Sequence, residues 1–165
     1  MVKRTMIVVL LASSLLRSSL MTKWDSMTYE EKISSDDSVK AIVADMTTVE
    51  FDLMSRVVEA ESDRGTSEDS FEGRVLIALT ILNRVNDSGF NNTIAGVIYE
   101  SGQFQVVETG AVWSVGRTDL SDLAVIEARQ RLESGEAPNV LYFNNSGYSY
   151  GTAYGYFGGN YFVTN

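Results

Sequence analysis

The chain has 165 residues, with 13 basic and 22 acidic side chains and a formal charge of −9, so a phosphate-backbone partner such as nucleic acid is not expected. It has no cysteine and no histidine, which excludes disulfides, thiolate or imidazole zinc sites, Cys-His pairs and Ser-His-Asp triads. Catalysis would have to run on carboxylates, tyrosine, lysine, serine or threonine, and the length suits one domain with extensions.

The first element reads as an export signal. Lys3 and Arg4 precede the apolar run Met6 to Leu16, the order of the basic and apolar regions of a secretory signal. The run falls short of the roughly 20 apolar residues of a membrane span, and Arg17 closes it. A cleaved signal over residues 1–21 is expected. The alternative is a weak anchor that stays attached and touches the membrane transiently. Either way the protein is expected in the periplasm, the cell wall or the medium. Residues 22–47 are polar, serine-rich and mixed in charge, and are expected as a linker with one or two helical turns at "SVKAIVADM". The compact domain is expected over residues 48–165.

That domain opens with "TTVEFDLMSRVVEAE", which sets Phe51, Met54, Val57, Val58 and Glu61 at helical spacing. Thr47 or Thr48 can cap this helix, with Glu50 in its first turn. The apolar stripe ends on Glu61, where burial and the negative end of the helix dipole both raise a carboxyl pKa. Glu59 lies about 200° round the helix and is expected off the stripe. From Val57 to Gly73 the chain then collects Glu59, Glu61, Asp63, Glu68, Asp69 and Glu72 against a single base, Arg64. Two readings fit: a solvated acidic loop between helix ends, or a carboxylate site at the mouth of a cleft.

The strongest helix is "DSFEGRVLIALTILNRVND", in which Val75, Leu76, Leu79, Leu82 and Val85 form one face and Ile77, Ala78 and Ile81 widen it. A helix this apolar belongs at the centre of the core. Asp69 or Ser70 is its expected N-cap, with Glu72 near the first turn. Asn83 and Arg84 either orient a site or face solvent. "NNTIAGVIYE" predicts a short third helix capped by Asn92 or Thr93. "TDLSDLAVIEARQRLESG" predicts an amphipathic fourth, with Leu120, Leu123, Ala124, Ala128 and Leu132 inward and Gly135 as its stop. "NVLYFNN" and "YFGGNYFVT" read as two strands, joined by the loop "SGYSYGTAYGY". In the first strand Leu141 and Phe143 are expected in the core, leaving Tyr142 and Asn145 on the other side. Helices followed by a small strand pair imply an α+β fold.

The words "VVEAES", "FEGRVLIALTILNRV", "FNNTIAGVIYESGQF", "LYFNN" and "FGGNYFV" occur in the order of the SleB-type cell wall hydrolases. From about Leu53 to Val163 the chain resembles that family of spore cortex-lytic enzymes. The resemblance implies a lysozyme-like helical core with a small C-terminal β-hairpin or sheet. It puts Glu61 on the catalytic glutamate, Glu72 and Gly73 on an E-G pair, and Asp69 near a second acid. Two departures stand out: a few extra residues around "DRGTSE", and Asn160 where the family motif usually has histidine.

The implied activity is lytic transglycosylation of peptidoglycan, with the glycan strand as partner. One tuned carboxylate suffices, and no metal or cofactor is expected. Candidate substrate-binding residues are Asp69, Glu72, Gln103, Phe104, Tyr142 and Asn145. For Gln103 and Phe104 the competing reading is a core ring beside an incidental amide. Tyr148, Tyr150, Tyr154 and Tyr156 either line a glycan groove or form a flexible surface. A hydrolase pairing Glu61 with Asp69 or Glu72 is the mechanistic alternative. An inactive peptidoglycan-binding envelope protein is the functional one. An acidic calcium-stabilised module ranks low, because "DRGTSED" lacks the ligand order of an EF-hand loop. A monomer is expected, and a phage lysis enzyme and a small envelope enzyme both fit.

Overall fold

In chain order the described residues form α1 (Val2–Ser26), α2 (Tyr29–Ile33), α3 (Asp37–Val43), α4 (Thr48–Glu61), α5 (Glu68–Asn86), α6 (Ile94–Ile98), α7 (Gln105–Glu108), α8 (Ala111–Val115), α9 (Asp119–Ser134), β1 (Val140–Asn144), β2 (Thr152–Phe157) and β3 (Asn160–Thr164). The structure, a computed structural model, describes residues 2–148 and 151–165, with side chains from residue 14 onward. Tyr150 lies outside the described residues. Helices come first and a small sheet last, the α+β arrangement expected.

The most apolar stretch of the sequence is the axis of the core. Val75, Leu76, Ile77, Ala78, Leu79 and Ile81 of α5 are fully buried. Helices α4, α6 and α9 and strands β1 and β2 all pack on α5, so no face of its middle is left for water. Each such aliphatic side chain contributes roughly 1.5–3 kcal/mol by burial. The caps explain where helices start and stop. Thr47 and Glu50 form a reciprocal capping box on α4, Thr93 caps α6, and Gly135 ends α9 in the left-handed conformation, at φ 77°. The cap of α5 is Ser67, not Asp69 or Ser70: its Oγ accepts from the Ser70 N–H. The helix starts earlier because Glu68 and Asp69 favour its first turn, where free N–H groups point outward.

The two expected strands are three, in the antiparallel order β1-β3-β2. "YFGGNYFVT" is a hairpin rather than one strand. Gly158 and Gly159 form its turn with φ 52° and 80°, and a two-residue turn with positive φ at both positions matches the twist of the flanking strands. The expected loop therefore supplies β2. The hairpin turn sits against α5 at one point. A side chain on Gly73 would put Cβ 2.9 Å from the Gly158 Cα and 3.0 Å from the Phe157 carbonyl oxygen. One helical turn earlier, Asp69 accepts from the Gly158 N–H at 2.9 Å.

Residues 22–47, expected as a polar linker, fold against the domain. Trp24, Ala41, Val43 and Ala44 are buried. Lys40 of α3 is buried with Asp122 of α9 at 3.1 Å, and Arg117 joins Asp37, Asp52 and Asp122. From α1, Arg17 donates to the carbonyls of Ile42 and Val43 and to Glu133. Short helices with long-range ion partners leave little local periodicity, which is why this stretch looks like a linker in sequence. Among the described residues no helix is long and apolar enough to cross a membrane.

Candidate active site

Helix α4 delivers its last residue, Glu61, to a cleft of about 370 Å³. Across from Glu61 stand Gln103 and Gln105 from the entry to α7, Phe143, Asn144 and Asn145 from the end of β1, and Asn160 from the start of β3. Among the described residues lining the cleft, Glu61 alone is ionisable. A larger cavity, about 680 Å³, lies between α1 and α3; among the described residues lining it, the charged ones are Arg17, bonded to main-chain carbonyls and Glu133, and Asp45, paired with Arg129.

Glu61 is half-buried, and burial pushes its carboxyl above the ordinary carboxylate range. The backbone N–H of Val106 donates to it and partly opposes that rise. Val106 lies in the first turn of α7, whose N-cap, Phe104, offers no side-chain acceptor; Glu61 supplies one. The main chain of Glu61 is also held, because Asn160 Nδ2 donates to its carbonyl at 3.3 Å. Asn160 thus orients the glutamate through the backbone and adds no charge of its own.

The other carboxylates of the acidic stretch have separate duties. Glu59, expected off the stripe, is only 4% exposed. Arg74 Nε donates to it at 2.9 Å and the Thr118 hydroxyl donates at 2.9 Å. Helix α4 is enclosed by α5 and α9 on the side that the stripe leaves over, so that face meets protein, not water. Asp63 accepts from the Gly65 N–H and the Ser70 hydroxyl and shapes the loop, whose Gly65 carbonyl accepts from Arg74 at 2.8 Å. Asp69 holds the hairpin turn. Glu72 is paired with Arg131 of α9 through two bonds of 2.7 and 2.9 Å. Both expected substrate-binding acids are therefore engaged in structure and lie outside the residues lining the cleft.

The remaining expectations divide. Gln103 and Asn145 line the cleft. Phe104 is a core ring, 1% exposed, tilted against Phe143 at 6.3 Å. Tyr142 is not among the lining residues; it packs on Phe90 at 6.1 Å and under the Arg84 guanidinium at 5.5 Å. Phe143, expected purely as core, packs on Phe162 and also lines the cleft. It keeps the core face, opposite Phe162, and reaches the cleft because the cleft opens at this end of β1, where Asn144 and Asn145 also line it. Asn83 and Arg84 are buried rather than solvent-facing. Asn83 donates to the carbonyls of Pro138 and Val140, and Arg84 to that of Leu141 at 2.8 Å. Together they fix β1, which carries one wall of the cleft. Gln105, Asn144 and the lining role of Asn160 were not foreseen; Asn160 alone had a signal, as the odd residue in "FGGNYF".

The family model for cell wall hydrolases matches residues 68–158, a match that begins after Glu61. A spore cortex-lytic enzyme of Oceanobacillus iheyensis is 36% identical over 93 residues, covering 56% of this chain and 31% of that protein. The spore cortex-lytic enzyme of Bacillus subtilis is 35% identical over 92 residues, covering 56% and 28%. The chain thus spans about a third or less of the length of these curated relatives. The solved catalytic domain of the Bacillus cereus SleB protein superposes with a TM-score of 0.56 at 29% identity, over 72% of this chain and 91% of that one. The catalytic domain of the germination-specific lytic transglycosylase SleB of Bacillus anthracis gives 0.58 at 28% identity, over 72% and 96%. The expected lysozyme-like α+β fold agrees with both.

Proposed function

We propose that this chain, which belongs to the cell wall hydrolase family, cleaves the glycan strand of peptidoglycan between N-acetylmuramic acid and N-acetylglucosamine, as a lytic transglycosylase in which Glu61 is both acid and base. The observation that carries this reading is the solitary carboxyl: Glu61, half-buried and with a raised pKa, is the ionisable group of an otherwise neutral, amide-lined cleft.

Protonated Glu61 gives its proton to the glycosidic oxygen as the muramyl C1–O bond breaks, and the bonding pair leaves with the N-acetylglucosamine oxygen. Positive charge develops on C1 and the ring oxygen, as in other glycosidic cleavages. The carboxylate then takes the proton of the muramyl C6 hydroxyl while O6 bonds to C1. Glu61 regains its proton, the product carries a 1,6-anhydro end, and no water is consumed. The Val106 N–H stabilises the carboxylate between the two steps, and Asn160 keeps the Glu61 backbone in place. Gln103, Gln105, Asn144 and Asn145 present amides that match acetamido and hydroxyl groups. A two-carboxylate hydrolase would need Asp69 or Glu72 at the bond, and both are committed elsewhere.

The same reading places the protein outside the cytoplasm, where its substrate lies, with the basic and apolar N-terminal segment as the export signal. The test is mass spectrometry of digested peptidoglycan. Glu61→Gln keeps size and hydrogen bonding but cannot deliver a proton, so 1,6-anhydro product should fall by roughly 10²–10⁴-fold. Reducing ends in place of anhydro ends from the unaltered chain would replace transglycosylation by hydrolysis. No cleavage by the unaltered chain would leave a binding protein.

A further inference from the structure

Glu136 is the last charged side chain in the sequence; everything from Ala137 to Asn165 is neutral, in a chain of net charge −9. That neutral stretch is the sheet and its connections. Phe143 and Phe162 pair on the core face, so their strand neighbours Asn144 and Tyr161 point to the opposite face. There Asn144 of β1 stands opposite Tyr161 of β3, and Tyr161 opposite Tyr156 of β2. Tyr148, from the connection after β1, meets Tyr161 edge-on at 5.0 Å, and Tyr156 meets it at 4.6 Å. The three rings form one patch, yet Tyr148 and Tyr156 remain 48% and 52% exposed. The patch meets the cleft at Asn144, which lines the cleft and stands opposite Tyr161.

We propose that this uncharged tyrosine face is a sugar-binding extension of the cleft, holding glycan residues beside the scissile bond; it rests on the glycan-cleaving reading above. A pyranose offers a C–H face that packs on a ring and hydroxyls that meet a phenol, and tyrosine combines an apolar body with a polar tip. An acidic protein repels the carboxylates of the wall, so its contact with the polymer falls to neutral surfaces and to the neutral sugar backbone. Contiguous exposed rings are otherwise a solubility liability. From β1 across β3 to β2 is two strand spacings, about 10 Å, enough to seat a disaccharide.

The test compares the full chain with the double variants Tyr148→Ala/Tyr156→Ala and Tyr148→Phe/Tyr156→Phe. Each is titrated with the hexamer of N-acetylglucosamine, which carries no peptide, and cosedimented with insoluble peptidoglycan. The alanine pair should bind both probes about tenfold more weakly, with unchanged melting because the rings are exposed. The phenylalanine pair should stay close to the unaltered chain. Alanine variants that bind both probes normally would overturn the proposal, as would a loss confined to peptidoglycan, which would mean that the patch reads peptide. Equal loss in the phenylalanine pair would overturn ring packing. Tyrosine-dependent binding of both probes by a chain that releases no anhydro product would sink the cleavage reading and support the sugar face.

Discussion

At the scale of single residues, two glutamates two positions apart have opposite fates. Burial raises the Glu61 pKa. A raised carboxyl pKa means that the folded state holds its proton more tightly, so this residue's contribution to stability is complete below the unfolded value of 4.5 and is lost as pH rises through the folded value. Two consequences share that sign. Cleavage should decline as pH rises past the folded pKa, because the acid form disappears; a pH–rate profile that climbs into the alkaline range would remove Glu61 as the donor. Glu61→Gln should melt no lower than the unaltered chain at pH 7, and its relative advantage should vanish below about pH 4.5. Glu59 is the counterpart. It shares a buried ion pair with Arg74, so Glu59→Gln strands a guanidinium and should cost about 3–5 kcal/mol in urea unfolding. A Glu59→Gln protein as stable as its parent would mean that the pair contributes nothing.

At the scale of elements, the site is assembled by what α5 grips. Its Asp69 and Gly73, one turn apart, seat the turn between β2 and β3, and β3 opens with Asn160, the residue bonded to the Glu61 backbone. Asn83 and Arg84 at the other end of α5 seat β1. Gly73→Ala should therefore force helix and hairpin apart, with a stability cost of about 1–3 kcal/mol from overpacking. Activity should drop beyond what the loss of folded protein explains, since the hairpin carries a cleft wall. Denaturant melts and specific activity per folded molecule measure the two parts. Unchanged values in both would show that the contact at Gly158 yields freely. The E-G pair is legible here as structure: Glu72 anchors α5 to α9 through Arg131, and Gly73 admits the hairpin backbone.

At the scale of the whole molecule, the N-terminal third is tied to the domain by charge. Lys40 and Asp122 are 82 residues apart in sequence and both buried. Lys40→Met removes one cation from Asp122 and leaves it to Arg117, which should cost about 1–3 kcal/mol. Thermal melting of that variant measures it. A melt equal to the parent's would show that Arg117 alone satisfies Asp122 and that α3 is held by its apolar contacts.

Periodicity was enough to place α4, α5, α6 and α9, because an amphipathic helix writes its buried face at intervals of three and four residues; the ends of α4, α6 and α9 were legible in threonine and glycine, while the start of α5 at Ser67 was not. Glu61 was legible for the same reason, as the residue that ends a buried stripe. Local pattern carries no record of partners that arrive from far along the chain. Arg74 turned Glu59 from a surface acid into a core one, and Arg131 paired Glu72 away from the cleft. Asp122 and Glu133 drew a polar N-terminal stretch onto the domain. The packing of the end of β1 against the entry to α7 decided that Phe143, read as core, also meets the cleft. The helix that carries Glu61 was determined locally; its solitude in a neutral cleft was decided only when Glu59, Asp63, Asp69 and Glu72 found their bonds in the folded chain and Glu68 was left exposed on the first turn of α5.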